Sequence, residues 1–225
     1  MKKVAVILSG CGVYDGSEIH ESVSVLLALS QLGADAQCYA PDIEQHHVIN
    51  HLTGDEEPES RNVLAESARI ARGEVKALED FNIHPYDALI LIGGFGAAKN
   101  HTKWAFDGPA GDVNEEVKCC VKAFYEANKP ILALCVAPVV LAKSLTGESV
   151  TVSLGSTELP ANYDIASFNE GVEKLGLNTQ SCPVDDIVVD NEHKIITTPC
   201  YMMQGSLAQI YQGIYKGCQK LLEMS

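Results

Sequence analysis

The sequence lacks several features that would assign it to a class of protein. It has no excess of positive charge, because 16 Lys and Arg residues stand against 30 Asp and Glu residues, for a net charge of −14. Such a chain has no positive field to attract a polyanion, which argues against nucleic acid as a partner. No apolar run approaches the roughly 20 residues that cross a bilayer, which argues against a membrane protein.

The cysteines lack the spacing of a disulfide framework or a metal site. All eight are scattered along the sequence without a CxxC pair. A chain of 225 residues can also bury a stable hydrophobic core without disulfide bonds. We therefore predict free thiols in a reducing compartment, the cytoplasm. His47 and His51 are four residues apart, but without the HExxH pattern of zinc enzymes, and we predict neither a metal nor a cofactor.

Short apolar runs alternate with amphipathic stretches along most of the chain, which predicts strands alternating with helices. The predicted strands are 3–8, 36–40, 88–92, 130–134, 150–154, 186–190 and 194–198, with the last two forming a hairpin. The predicted helices are 18–32, 63–72, 113–127, 136–145, 165–175 and 204–222. This order predicts one doubly wound α/β domain over residues 1–225, with an irregular insertion around 41–62.

Ligands of such domains bind beyond the carboxyl ends of the parallel strands, and the predicted strand 130–134 ends directly at Cys135. The residues two before and two after this cysteine are alanines, Ala133 and Ala137. Small residues there are typical of a nucleophile elbow, a tight turn that exposes its central residue. A following helix would lower the pKa of the thiol. The alternative is a cysteine packed beneath the start of a helix.

Two further strand ends carry residues suited to the same site. After strand 88–92 come Gly93, Gly94 and Gly96, whose backbone N–H groups are free to approach a ligand oxygen. A dinucleotide-binding loop is the competing interpretation, but its third glycine would fall on Lys99.

After the first strand, an acidic segment opens the first helix and contains Asp15, Glu18, His20 and Glu21. Glu18 and Glu21 share a helix face, so one of them is a candidate acid or base next to Cys135. Capping of the helix is the simpler role for both.

Taken together, these features resemble the PfpI-like branch of the class I glutamine amidotransferase-like superfamily. The blocks GCGVYDGSEIHES, INHLTG, RNVLAESARIARG, GGFGAAKN, CPVDDIVVD and KIITTP are similar to its enhancing-lycopene-biosynthesis subfamily, also labelled isoprenoid-biosynthesis glyoxalase, over nearly the whole chain. The resemblance implies a flavodoxin-like three-layer sandwich with a mainly parallel sheet, and a homodimer.

The resemblance also implies a site. Its parts would be a Cys135 nucleophile, Glu21 or Glu18 as acid and base, and oxyanion donors from the backbone of Gly94 or Gly96 and of Val136.

The chain departs from its relatives where their histidines stand. Val136 follows the cysteine where PfpI-type proteases have histidine, and Thr197 to Tyr201 replace the His-x-Glu pair of amidotransferases. A Cys/Glu site with help from His20 remains, which suits a cofactor-independent glyoxalase acting on a small aldehyde such as glyoxal or methylglyoxal. The alternatives are a redox-sensing or binding protein, and an amidase or amidotransferase-like subunit.

Overall fold

A seven-stranded sheet forms the centre of the structure, a computed structural model that describes residues 1–225. The strand order is β3-β2-β1-β4-β5-β9-β8, and only β8 runs antiparallel to its neighbour. The strands of this sheet are β1 (Lys3–Ile7), β2 (Asp35–Ala40), β3 (Val75–Ala77), β4 (Ala88–Leu91), β5 (Ile131–Leu134), β8 (Val188–Asp190) and β9 (Ile195–Thr198). A separate parallel pair consists of β6 (Thr151–Val152) and β7 (Asn178–Thr179).

Helices cover both faces of the sheet, which gives the three-layer α/β fold predicted from the sequence. The helices are α1 (Ile19–Gln31), α2 (Val63–Ile70), α3 (Trp104–Asp107), α4 (Glu115–Glu126), α5 (Pro138–Ser144), α6 (Ile165–Glu173) and α7 (Leu207–Met224). On one face α1 packs against α7, and on the other α4 packs against α5. β1, β4 and β5 are buried along nearly their whole length, because a parallel strand covered on both faces has no polar side. None of the helices combines the length and the apolar composition that a membrane-spanning segment needs.

Several elements differ from the sequence prediction. The predicted hairpin forms between β8 and β9, but the predicted strand 150–154 reduces to the two residues of β6. β3 and β7 are missing from the prediction because strands of two or three residues are too short for a periodic pattern. Residues 41–62 contain no helix or strand, only the isolated bridges of Glu44 with Asn62 and of Ile49 with Glu56.

The strand order fixes the position of a crevice. The chain runs outward from β1 through β2 to β3 and then returns to the other side of β1 with β4. Ligands of open α/β sheets bind at the carboxyl ends of the strands at such a reversal. The glycine turn follows β4 and Cys135 follows the neighbouring β5, so both lie at this edge.

Candidate active site

Cys135 lies in a tight turn between β5 and α5. Its backbone has a φ of +57°, a left-handed conformation that costs free energy in a residue other than glycine. The N–H of Cys135 donates to the Thr198 oxygen at 2.9 Å, which ties the turn to the end of β9. This is the geometry expected of a nucleophile elbow.

Glu21 in the first turns of α1 is the carboxyl group next to the thiol. Its side chain contacts Cys135 and is fully buried, and neither carboxyl oxygen completes a hydrogen bond, although the N–H groups of Gly93 and Tyr201 face it. Burial, followed by the negative charge of Glu18, raises the pKa of Glu21 to about 8. The carboxyl is therefore mostly protonated at neutral pH and can donate to sulfur.

Gly93 lets the thiol and the carboxyl meet. A Cβ on Gly93 would collide with the Cβ of Cys135 and would lie 2.6 Å from Oε2 of Glu21. Any side chain here would push the two groups apart. The glycine is required by this close approach and not by an unusual backbone angle.

The pKa of Cys135 differs from the sequence expectation. Burial, and next the Glu21 carboxylate, raise the pKa of the thiol well above its ordinary value, whereas the helix start was expected to lower it. Loss of solvation outweighs the backbone dipoles of a helix with only two turns. Protonation of Glu21 removes this repulsion, so the titrations of the two groups are coupled.

Two backbone amides are aimed at the sulfur. The N–H groups of Gly94 and Val136 stabilise the thiolate and make no hydrogen bond to another protein oxygen. They can also bind an oxygen that becomes negative next to the sulfur. Gly96 was a candidate donor from the sequence, but its N–H donates to the Gly16 oxygen at 2.8 Å and is not available.

Glu18 performs the capping role. It is the N-cap residue of α1, and its Oε2 accepts the N–H of Glu21 at 2.7 Å. Its side chain also borders the cavity above Cys135, and burial raises its pKa. Glu18 therefore holds the helix that carries Glu21, and Glu21 is the group in contact with sulfur.

The side chain of His20 lies next to Tyr201. The His20 side chain is exposed, and its Nδ1 lies 2.8 Å from the hydroxyl of Tyr201. The help from His20 that the sequence suggested therefore stays a prediction. The helical periodicity turns His20 away from the face that Glu21 directs at Cys135. His20 can act on the site only through Tyr201.

Three further residues complete the surroundings of the sulfur. The buried Cys200 follows β9. Burial, and next the charges of Glu21 and Cys135, raise the pKa of its thiol well above the ordinary value. Burial raises the pKa of Tyr163 to about 12, with a further contribution from Cys135. Tyr201 borders the same cavity. Of these three residues, only Cys200 could have been found from the sequence, because it follows the end of a predicted strand. Tyr163 lies in an irregular segment with no pattern to reveal it.

A cavity of about 490 Å³, including its open mouth, leads to Cys135. Eleven of its 13 lining residues are hydrophobic, and no Lys, Arg or His is among them. The lining residues are Val13, Glu18, Gly94, Phe95, Ala98, Trp104, Ala105, Cys135, Val136, Tyr163, Phe168, Tyr201 and Met202. The site therefore combines a buried cysteine, in contact with a carboxyl group, with an apolar approach.

The fold and the site together define a class of protein. Its members are parallel α/β sandwiches with a cysteine in a nucleophile elbow and a buried glutamate next to it. Residues 73–197 match the DJ-1/PfpI family, and the chain belongs to that family.

The chain is 45% identical to the human glutamine amidotransferase-like class 1 domain-containing protein 3, mitochondrial, over 99% of this chain and 83% of that protein. It is 30% identical to the zebrafish ES1 protein, mitochondrial, over 89% and 77% of the two chains.

Solved structures agree with the fold. The isoprenoid biosynthesis protein with amidotransferase-like domain from Ehrlichia chaffeensis superimposes with a TM-score of 0.90 at 35% identity, over 100% of this chain and 99% of that one. Drosophila melanogaster DJ-1beta superimposes with a TM-score of 0.52 at 16% identity, over 99% and 95%, and shows the fold alone. Family members include glyoxalase-like and redox-sensing proteins.

Proposed function

We propose that the protein is a cofactor-independent glyoxalase that converts a 2-oxoaldehyde, such as glyoxal or methylglyoxal, into a 2-hydroxy acid. The observation that carries the proposal is the Glu21 carboxyl, buried without a hydrogen-bond partner against the thiol of Cys135. A buried acid without partners costs stability, and a raised pKa suits it to move protons near neutral pH.

The reaction starts from the pair with one proton, and the Glu21 carboxylate takes that proton from the Cys135 thiol as the sulfur attacks. The thiolate adds to the aldehyde carbon and forms a C–S bond. The aldehyde oxygen, held by the N–H groups of Gly94 and Val136, takes the proton from Glu21. The product of this step is a hemithioacetal.

The Glu21 carboxylate then removes the hydrogen of the former aldehyde carbon as a proton and returns it to the neighbouring carbon through an enediol. The hydroxyl proton of the hemithioacetal moves to the neighbouring ketone oxygen in the same step. The first carbon is thereby oxidised to a thioester, and the second is reduced to an alcohol. Water attacks the thioester and passes a proton to Glu21, and the C–S bond breaks. The 2-hydroxy acid leaves, the pair with one proton is restored, and no external oxidant is consumed.

The absence of an imidazole base supports this chemistry over that of an amidase. Glutaminases and cysteine proteases use a histidine to activate the thiol and to protonate the leaving amine. The cavity is lined by no histidine, and the buried His101 faces the Leu8 oxygen at 3.0 Å from Nε2. An amidase or amidotransferase-like subunit would instead release ammonia from glutamine, which the same preparation can be tested for.

The test is consumption of glyoxal and methylglyoxal by the purified protein, with detection of the 2-hydroxy acid. Cys135→Ala is expected to reduce conversion to the background rate. Cys119→Ala is the matched control, because Cys119 is an exposed free thiol on α4, outside the cavity. Full conversion by Cys135→Ala would refute the mechanism.

Redox sensing is the second candidate, and the position of Cys200 favours it. A peroxide would oxidise Cys135 to a sulfenic acid, and the Cys200 thiol would condense with it to a disulfide and water. The two candidates differ in turnover. A sensor would consume one equivalent of peroxide at Cys135 and show no sustained conversion of aldehyde.

Two expectations from the sequence stay predictions. The eight free cysteines suit a reducing compartment and support the cytoplasm, while the human and zebrafish relatives carry the word mitochondrial in their names. The second expectation, a homodimer, is tested by light scattering after size-exclusion chromatography.

A role in isoprenoid biosynthesis is a separate proposal. It rests on the name of the Ehrlichia protein and is tested by deleting the gene.

A further inference from the structure

The walls of the cavity above Cys135 are more apolar than a glyoxal molecule requires. Glyoxal consists of two carbonyl groups, and methylglyoxal adds a single methyl group. Neither has enough apolar surface to gain from an enclosure in which 11 of 13 residues are hydrophobic. The cavity is built for a larger apolar group attached to the reacting carbons.

Aromatic rings form much of these walls. The rings of Trp104 and Phe168 are nearly parallel, with an angle of 6° and centroids 6.4 Å apart. Phe95 and Tyr163 meet at 72° with centroids 5.9 Å apart. Flat rings held in fixed orientations favour a flat ring that lies against them, because aromatic groups gain from stacked and edge-on contacts beyond the area they bury.

The charges around the cavity exclude another class of substituent. Glu18 is the only carboxyl group in its lining, and no positive side chain is present to bind an anion. Lys99 lies with its Nζ 5.2 Å from the centroid of the Phe95 ring and donates to the Tyr14 oxygen. Lys99 lines a different cavity. A 2-oxoaldehyde with a carboxylate or phosphate would therefore be repelled.

We propose that the preferred substrates are uncharged 2-oxoaldehydes with an aromatic or bulky apolar substituent on the ketone carbon, the class represented by phenylglyoxal. This inference rests on the proposed function and specifies its substrate. The aldehyde carbon is attacked by Cys135 as before, and the substituent lies against Trp104, Phe168 and Phe95. The bonds that form and break are unchanged, and water remains the only co-reactant.

A change at the mouth of the cavity tests the inference. Ala105 lines the cavity and is exposed, so Ala105→Phe fills the space without disturbing the core. Ala208→Phe, on the exposed side of α7 and outside the cavity, is the matched control. The measurement is kcat/KM for phenylglyoxal and for methylglyoxal, with Cys135→Ala run in parallel because phenylglyoxal also modifies arginine.

We expect the wild-type protein to prefer phenylglyoxal by at least about tenfold, since its ring buries more apolar surface in the cavity than a methyl group does. Ala105→Phe should lower the phenylglyoxal-to-methylglyoxal ratio about tenfold, and Ala208→Phe should leave it unchanged. Conversion of methylglyoxal without a phenyl preference, or a ratio that Ala105→Phe does not lower, would overturn the inference and leave the proposed function intact.

Failure of the proposed function has a different signature. If no aldehyde is converted, binding of acetophenone, which has the ring but no aldehyde, is measured by NMR on the same three proteins. Binding that Ala105→Phe weakens and Ala208→Phe does not supports an aromatic ligand of this cavity. Absence of acetophenone binding to the wild-type protein overturns it.

Discussion

Two carboxyl groups at opposite ends of the sheet have opposite surroundings. Glu21 lies at the carboxyl ends of the parallel strands, fully buried and without a completed hydrogen bond. Asp190 ends β8 opposite the start of β9, at the other edge. Its Oδ2 accepts the N–H of Thr151 at 2.8 Å and lies 2.9 Å from Nδ1 of His193, and its Oδ1 accepts the N–H of His193 at 3.0 Å.

The pKa values of these two groups diverge accordingly. Burial raises the pKa of Glu21 to about 8. Burial alone would also raise the pKa of Asp190, but the donors from His193 and Thr151 hold it below its ordinary value. A buried carboxylate with all its partners stabilises the fold, whereas one left without partners opposes folding. We therefore predict that a change at Glu21 affects activity and that a change at Asp190 affects stability.

The largest effect is expected from Glu21→Gln. Glutamine has nearly the shape of the protonated acid but cannot accept or deliver a proton, so turnover of methylglyoxal should fall about 10²- to 10⁴-fold. Glu18→Gln is the matched control, three residues away on the same helix, and should retain most of the activity. Equal losses in both variants would show that Glu21 has no special role.

The pH dependence of the wild-type protein should connect stability and activity. With an ordinary pKa of 4.5 unfolded and about 8 folded, Glu21 binds more protons in the native state between these values. Its contribution therefore makes the free energy of unfolding fall as pH rises, on the order of 3 kcal/mol from pH 5 to pH 8. Activity should rise over the same interval, because the reactive pair holds one proton.

Chemical denaturation of the wild-type protein at several pH values checks the predicted fall in the free energy of unfolding, with Glu21→Gln as the comparison. The variant should lose this part of the pH dependence, so its stability relative to wild type should increase with pH. A constant difference between the two proteins from pH 5 to pH 8 would contradict the raised pKa.

The fold and the location of the site could be predicted from the sequence. The alternation of apolar runs predicted the α/β fold and the strands β1, β2, β4, β5 and β9, because parallel strands buried on both faces have a distinctive composition. The glycine turn and Ala133 to Ala137 located the site, because tight turns admit few residues.

Burial and hydrogen-bond partners depend on tertiary packing and were not accessible. Glu18 and Glu21 are equivalent in the sequence, and only the rotation of α1 makes one a cap and the other the partner of Cys135. The rise in the pKa of Cys135 was missed for the same reason. Tyr163 approaches the sulfur from a loop, and no local pattern predicts a contact of that kind.

Asp190→Asn should have a smaller effect, on stability and not on catalysis. Asparagine weakens the bonds that Oδ2 makes with Thr151 and His193, which should lower the free energy of unfolding by about 1–3 kcal/mol at neutral pH. Because the pKa of Asp190 is depressed, this stabilisation is present above its ordinary pKa of 3.8 and is lost as pH falls below it. Denaturation and methylglyoxal turnover, measured together, should separate the two properties. A large loss of turnover would argue against the distinction.

The smallest effect is expected from Glu18→Gln, which tests the coupling between the cap and the acid. Loss of the negative charge at the start of α1 should cost about 0.3–1 kcal/mol of stability, since carboxylates there interact favourably with the helix dipole. The charge of Glu18 also raises the pKa of Glu21. Its removal should therefore lower that pKa and shift the rise of activity toward lower pH. An unchanged pH profile would show that Glu18 does not act on Glu21 through its charge, and the helix cap would then be its whole contribution.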